Sequence, residues 1–248
     1  MTKKHTVANS GTRGARLHLN IVQQKEYVRS REPVRPTTGK VVGYFPSVKN
    51  GRQVAWESQL EKKACLLFEF SPAIKGYNEQ PTPIHFHHED GIRKYTPDFV
   101  LELTTGASVY VEVKPASKLS CDELKEKFRN IDTYFTRNGF DFILITDEEL
   151  NQPTRLRNLN FLRPHLSSKC SKNLVVSIST DFDKNMPITL EDLITHTGSL
   201  NLTYSLIAQG VFIFDLDYPL TLTSLLTHSK EAENETCLFS YRTAPDFG

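Results

Sequence analysis

Apolar positions along this chain change period from helical to alternating and back, and the switches mark its elements. Leu60, Ala64, Leu67 and Phe68 fall on one side of a helix within residues 53–70. Gln80-Pro81 then opens a strand over 84–88, which Glu89-Asp90-Gly91 turns. Residues 94–103 predict the next strand, Thr104-Thr105-Gly106 a turn, and 107–114 a returning strand that Pro115 ends. Ser120 with Glu123 has the spacing of a capping box, and Leu124, Phe128, Ile131 and Phe135 follow at helical spacing up to Gly139. Residues 140–146 predict a buried strand, and Thr146 with Glu149 starts another capping box. Helix, three strands, helix, strand is an α/β order, in which a sheet is covered by helices.

A Ser- and Lys-rich stretch around 166–173 suggests a boundary. Beyond it, 189–194 and 199–209 predict two helices, the second ending at Gly210. Residues 211–214 predict a strand, with 216–222 as its return. Helix, turn, helix and hairpin resemble a small winged-helix domain, an α+β unit.

Charge divides the chain the same way. Residues 1–40 carry nine Lys/Arg against two acids, residues 41–170 balance, and residues 171–248 carry four basic and ten acidic residues. The basic arm 1–40 suits phosphate contact through Lys25, Arg29, Arg31, Arg35 and Lys40, with Lys49 and Arg52 just beyond it. A solvated tail would also account for residues 1–16. The acidic end should repel DNA and attract a basic protein, with Asp181, Asp183, Glu191, Asp192, Asp215 and Asp217 as exposed candidates.

No apolar run reaches the roughly 20 residues of a membrane helix, and the start Met-Thr-Lys-Lys-His lacks an apolar signal region. Cys65, Cys121, Cys170 and Cys237 are widely spaced, which argues against structural zinc and disulfides and for a cytoplasmic location.

The chemistry concentrates in Tyr95-Thr96-Pro97-Asp98-Phe99 and Val111-Glu112-Val113-Lys114. Side chains alternate along a strand, so Glu112 and Lys114 share a face while Val111 and Val113 face the core. Asp98 on the neighbouring strand can meet Glu112. Two facing carboxylates call for a cation, and hard oxygen ligands suit Mg²⁺, with Mn²⁺ able to substitute. Lys114 can place a water or offset charge on a phosphate. Glu57, in Trp56-Glu57-Ser58, adds a further acidic partner for the metal, and Trp56 reads as a core anchor beside it. A solvated hairpin face would carry the same residue types. His85, His87 and His88 suit a polar strand face near a substrate groove better than zinc, which wants further partners at closed spacing.

Five short motifs in order carry a family likeness: Gly43-Tyr44-Phe45-Pro46-Ser47-Val48-Lys49, Trp56-Glu57-Ser58-Gln59-Leu60-Glu61, Gln80-Pro81, Tyr95-Thr96-Pro97-Asp98-Phe99 and Glu112-Val113-Lys114. Over roughly residues 40–150 the chain resembles the TnsA family, the endonuclease subunits of heteromeric cut-and-paste transposases. The resemblance implies a restriction-endonuclease-like fold for 41–170 and a catalytic set of Glu57, Asp98, Glu112 and Lys114. Some relatives have Gln at the position of Glu112. It implies cleavage of the non-transferred strand at the 5′ ends of the transposon, beside a DDE-type transposase that cuts and joins the 3′ ends. Its partners would be transposon-end DNA, that transposase, an AAA+ ATPase regulator docking on 171–248, and in some relatives a CRISPR-guided targeting complex. A free-standing restriction or repair nuclease and a non-catalytic assembly subunit are the alternatives. The intact acidic set counts against the last of these.

Overall fold

The run Phe142-Ile143-Leu144-Ile145 organises the layers of the molecule. The computed structural model describes residues 41–88, 91–168, 170–183, 186–229, 238–244 and 247, and there this run lies in strand β8 (Asp141–Thr146). Its side chains alternate between two cores. Phe142 and Leu144 pack with Phe128, Ile131 and Phe135 of helix α2 (Asp122–Arg137), whereas Ile143 and Ile145 pack with Leu67 and Phe68 of helix α1 (Gln59–Phe70). A strand that is apolar on both faces needs a cover on both, and the two helices supply it.

The central sheet has the order β3 (Ile74–Glu79), β6 (Phe99–Leu103), β7 (Ser108–Lys114), β8. The first two pairings are antiparallel and β7–β8 is parallel, so α2 forms the crossover that a parallel pair requires. Two antiparallel hairpins flank this sheet: β1 (Gly43–Ser47) with β2 (Arg52–Trp56), and β4 (Ile84–His88) with β5 (Gly91–Tyr95). Phe68 anchors the α1 side, with its fully buried ring edge-on to Tyr77, Phe99 and Phe239.

After the capping-box helix α3 (Asp147–Leu150) and α4 (Pro153–Leu162), the chain builds a smaller α+β unit. It comprises α5 (Lys172–Thr180), β9 (Ile188–Thr189), α6 (Leu190–Thr197), α7 (Leu200–Ala208), β10 (Phe212–Ile213) and β11 (Leu225–His228), with sheet order β10-β11-β9. Leu190, Leu193, Leu206, Phe212 and Leu226 form its core, and Leu162 of α4 joins them. A mixed sheet flanked by helices, followed by a small α+β unit, is the expected fold class.

Several boundaries differ from expectation, each for a local reason. Residues 53–70 are not one helix: Val54 and Trp56 are buried from β2, and Ser58 N-caps α1 by accepting from the Glu61 N–H. Residues 94–103 are not one strand, because Pro97 offers no N–H and the chain passes from the β4–β5 hairpin to the central sheet there. β3 was not foreseen; its Lys, Gly and Asn dilute the alternation. Ser120 does not cap α2, since its hydroxyl donates to the Ser117 carbonyl and Cys121 takes the N-cap position. The return strand is β11 and not 216–222, whose Leu216 and Tyr218 carbonyls accept from Asn158 of α4. α4 and α5 were unforeseen as well.

Residues 171–248 are not a single packing unit. Phe239 joins the α1-side core and Phe247 the α2-side core. Leu144 and Arg242 exchange both backbone hydrogen bonds, at 2.9 and 2.8 Å, so the last described residues cover the free edge of β8. Arg242 also bonds Glu148 and Glu149.

Candidate active site

The register of β6 on β7 pairs Phe99 with Val111 and Val100 with Tyr110, and one further antiparallel step sets Asp98 opposite Glu112. Asp98 is the last residue before β6, freed from the β5 strand by Pro97. Its Oδ2 accepts the Val113 N–H at 2.8 Å, which fixes the carboxylate against β7. Val109, Val111 and Val113 belong to the α1-side core, so Glu112 and Lys114 emerge together on the other face.

Glu112 is buried, and its Oε2 accepts from the hydroxyl of Tyr95, itself buried at the end of β5. Its Oε1 stands 2.6 Å from the Lys114 ammonium, which lies 3.8 Å from Asp98 Oδ2. Burial, the charge of Glu112 and, less, that of Glu61 push the Asp98 carboxyl well above the usual carboxylate range, against Lys114 and the Val113 N–H. Burial works against the Lys114 ammonium, but Asp98 and Glu112 outweigh it and hold its pKa above the ordinary lysine value. Burial, then Glu112 and Asp98, push the Tyr95 phenol up, so Tyr95 stays a donor.

A second carboxylate layer borders this cluster. Glu57 sits between β2 and the N-cap of α1, and its Oε1 accepts from Gln80 Nε2 at 2.5 Å. Glu61, on the first turn of α1, supports the helix start: Oε1 accepts from the Ser58 hydroxyl and Oε2 from the Glu57 N–H at 2.7 Å. Burial raises its pKa, with Glu57 adding to the effect and Lys114 opposing it. The sequence marks Glu61 only as the end of the Trp56–Glu61 motif. Its place three residues after Ser58, with Leu60 and Ala64 flanking the same helical turn, was the available signal.

The structure therefore brings Asp98, Glu112 and Lys114 together, and links Glu57 to them through Gln80, whose amide donates to Glu57 and whose N–H donates to the Asp98 carbonyl. Among the described residues, no group of three or more His, Cys, Asp or Glu side chains is arranged to hold a metal ion. Two carboxylates do converge on one ammonium, Glu112 buried and Asp98 partly so. Mg²⁺ is commonly held by one or two carboxylates, with water and substrate phosphate completing the shell, so the donor set fits that ion.

The expected DNA contacts fare differently. Lys25, Arg29, Arg31, Arg35 and Lys40 lie outside the described residues. Lys49 turns inward, where its ammonium donates to the Phe68, Ser71 and Ile74 carbonyls at the end of α1. Arg52 forms a two-point pair with buried Glu79, at 3.0 and 2.7 Å. Both belong to the scaffold. Buried Glu69 similarly accepts from Ser47, Val48, Lys49 and Tyr77, so the Ser47-Val48-Lys49 motif ties β1 to α1. Gly43 is required by Trp56, since a Cβ there would come within 2.4 Å of the indole. His85 and His87 are exposed on β4.

The acidic candidates also separate. Asp217 pairs with Arg155 of α4, Asp181 with His196, and Asp192 closes the capping box of α6 with Thr189. Glu191 and Asp215 are exposed, as is Asp183. A cavity of about 600 Å³ between the two units is lined by Phe70, Leu162, Ile207, Phe212 and Phe214 and by no residue of the charge cluster, so it is not the site.

A helix-flanked mixed sheet that presents Asp, Glu and Lys from two adjacent strands is the arrangement of a restriction-endonuclease-like nuclease core. Residues 71–147 match the family model described as the TnsA-like endonuclease N-terminal domain. That segment, from the turn before β3 to the end of β8, is similar to the nuclease domain of TnsA-like endonucleases. The match contains Asp98, Glu112 and Lys114 and begins after Glu57. No curated protein matches the chain. No helix among the described residues is long and apolar enough to cross a membrane.

Proposed function

We propose that this chain is the Mg²⁺-dependent DNA endonuclease subunit of a cut-and-paste transposase, hydrolysing the non-transferred strand at the 5′ ends of the transposon. The observation that carries this reading is the contact of Lys114 with Glu112 beside Asp98, inside a segment that matches a TnsA-like endonuclease domain.

Asp98 and Glu112 would hold the ion, with Glu57 linked through water. Mg²⁺, or Mn²⁺ in its place, would supply Lewis-acid polarisation of the scissile phosphate. The protein side of the reaction follows from the hydrogen bonds. Val113 N–H and Tyr95 O–H each fix one carboxylate, so the donor atoms need no reorganisation when phosphate arrives. Lys114 is charged at neutral pH and near enough to both carboxylates to meet a phosphate oxygen or an attacking water beside them. The basic arm 1–40 would track the DNA backbone.

The division of labour implies a DDE-type transposase for the 3′ ends and an AAA+ ATPase regulator that docks on the acidic unit through Glu191, Asp215 and Asp183. The helix-strand-helix-helix-strand-strand order of that unit suits a winged helix used for protein contact. A CRISPR-guided targeting complex is a further partner of the same kind. Partner dependence tests this reading: end-labelled transposon-end DNA should be cut on the 5′ strand when the DDE partner is present. Equal cutting by the chain alone, at unrelated sequences, would instead mark a free-standing nuclease.

A further inference from the structure

Lys49 and Arg52 are committed to the scaffold, so a DNA backbone lying on the folded units would have to meet other cations. Some of these are already neutralised: Lys75 pairs with Glu102, and Lys125 with Asp122 one turn away on α2. Lys127 is different. Its ammonium lies 5.5 Å from the ring centroid of Tyr95 and 6.0 Å from that of Phe128, and it pairs with no carboxylate among the described residues. Glu123 stands four positions earlier on the same helix, the favourable spacing for a pair, yet makes none with it. A ring face is a weak partner for a part-exposed ammonium, so Lys127 can readily exchange it for a phosphate.

The ring under Lys127 belongs to the residue whose hydroxyl bonds Glu112, and Glu112 Oε1 stands 2.6 Å from Lys114. One side chain thus separates Lys127 from the charge cluster. The ribbon of β4 and β5 supplies a second cation. Its Ile84, Phe86 and Tyr95 face the core under α2, and alternation turns His85, His87, Ile92 and Lys94 to solvent. Lys94 adjoins Tyr95 and makes no ion pair among the described residues. We infer that the junction of β5 and α2 is the phosphate seat of the folded core, where Lys94, beside Tyr95, and Lys127, over its ring, hold the backbone of duplex DNA next to the phosphate that Lys114 meets. This rests on the proposed nuclease reading and adds where its substrate lies. Contacts of this kind position the duplex without reading its sequence.

The test is binding of a short labelled duplex to the full-length chain, followed by fluorescence anisotropy over a range of salt concentrations without divalent ions. Lys127→Met keeps an aliphatic stem over the rings and removes the charge. Lys94→Gln removes the charge from the ribbon. Each should weaken binding alike on unrelated sequences and reduce the salt slope by about one, and the double variant by about two, with unchanged melting midpoints. Lys127→Arg should keep the wild-type slope. Lys75→Gln, on the edge strand β3, controls for general surface charge and should keep it as well. An unchanged slope in the double variant overturns the inference, and so does an equal fall with Lys75→Gln, which would make the effect one of net charge. Where Lys127→Met fails to fold, the slope of Lys94→Gln alone decides. Two outcomes separate this from the reading beneath it. Wild type that binds no duplex, or cutting retained by Asp98→Asn in the assembled transposase, removes the nuclease reading and the seat with it. An unchanged slope in the double variant, while Asp98→Asn loses cutting, removes the seat alone.

Discussion

Lys114 Nζ stands 2.6 Å from Glu112 Oε1, on a sheet face where the carboxylate is buried and the ammonium only about one-third exposed. An ion pair of this kind contributes through what its loss leaves behind. Lys114→Met should leave the buried Glu112 carboxylate without its cation and cost about 3 kcal/mol, the lower end of the range for breaking a buried pair. Urea unfolding of the metal-free protein measures it. Removal of one preorganised cationic group should also lower the rate by about 10²–10³. A loss of DNA binding as large as the loss of rate would make Lys114 a phosphate contact instead.

Asp98 should behave in the opposite sense. Burial, and then Glu112, raise its folded pKa. The sign follows from linkage: ionising Asp98 costs stability that is absent below the unfolded pKa of roughly 3.9 and grows as pH rises above it. Asp98→Asn should therefore match wild type near pH 3 and become progressively more stable as pH rises, in the absence of divalent ions. A variant less stable than wild type at pH 7 would show that the Val113 and Lys114 contacts outweigh the burial of the charge.

The returning end of the chain should act as part of the nuclease core. Phe247 is fully buried against Phe128 and Phe142. Phe247→Ala should cost about 3–5 kcal/mol, as for other buried aromatic truncations. Deleting residues 238–248 should expose the β8 edge and speed amide exchange at Leu144, whose N–H donates to the Arg242 carbonyl. Unchanged exchange there would make the pairing dispensable.

Much of this was legible in the sequence where one physical rule acted alone. The 3.6-residue spacing of Phe128, Ile131 and Phe135 marked α2, and period-2 alternation across Glu112 and Lys114 gave their shared face. The sequence was less legible where tertiary contacts decided. Lys49 and Arg52 look like surface cations until the end of α1 and buried Glu79 claim them. Gln80 carries no local sign of its contacts, because Glu57 and Asp98 lie 23 and 18 positions away, whereas the spacing of Glu61 from Ser58 was a local sign. The Arg242 pairing to β8 links residues 98 positions apart, beyond any local pattern.

The basic arm makes a salt-dependence prediction. Each phosphate contact steepens the salt dependence of DNA affinity by about one unit of slope. Deleting residues 1–40 removes Lys25, Arg29, Arg31, Arg35 and Lys40 and should flatten the slope by about five. An unchanged slope would move DNA contact to the folded units.

The central claim is that Asp98, Glu112 and Lys114 form the hydrolytic centre. Its most direct measurement is single-turnover cleavage of 5′-end-labelled transposon-end DNA by the assembled transposase in Mg²⁺, with wild type, Asp98→Asn and Lys114→Met compared at equal DNA occupancy. The account predicts no detectable 5′-strand cleavage with Asp98→Asn, cleavage about 10²–10³ slower with Lys114→Met, and normal 3′-strand processing by the partner in both. Wild-type 5′-strand cleavage by Asp98→Asn would contradict it.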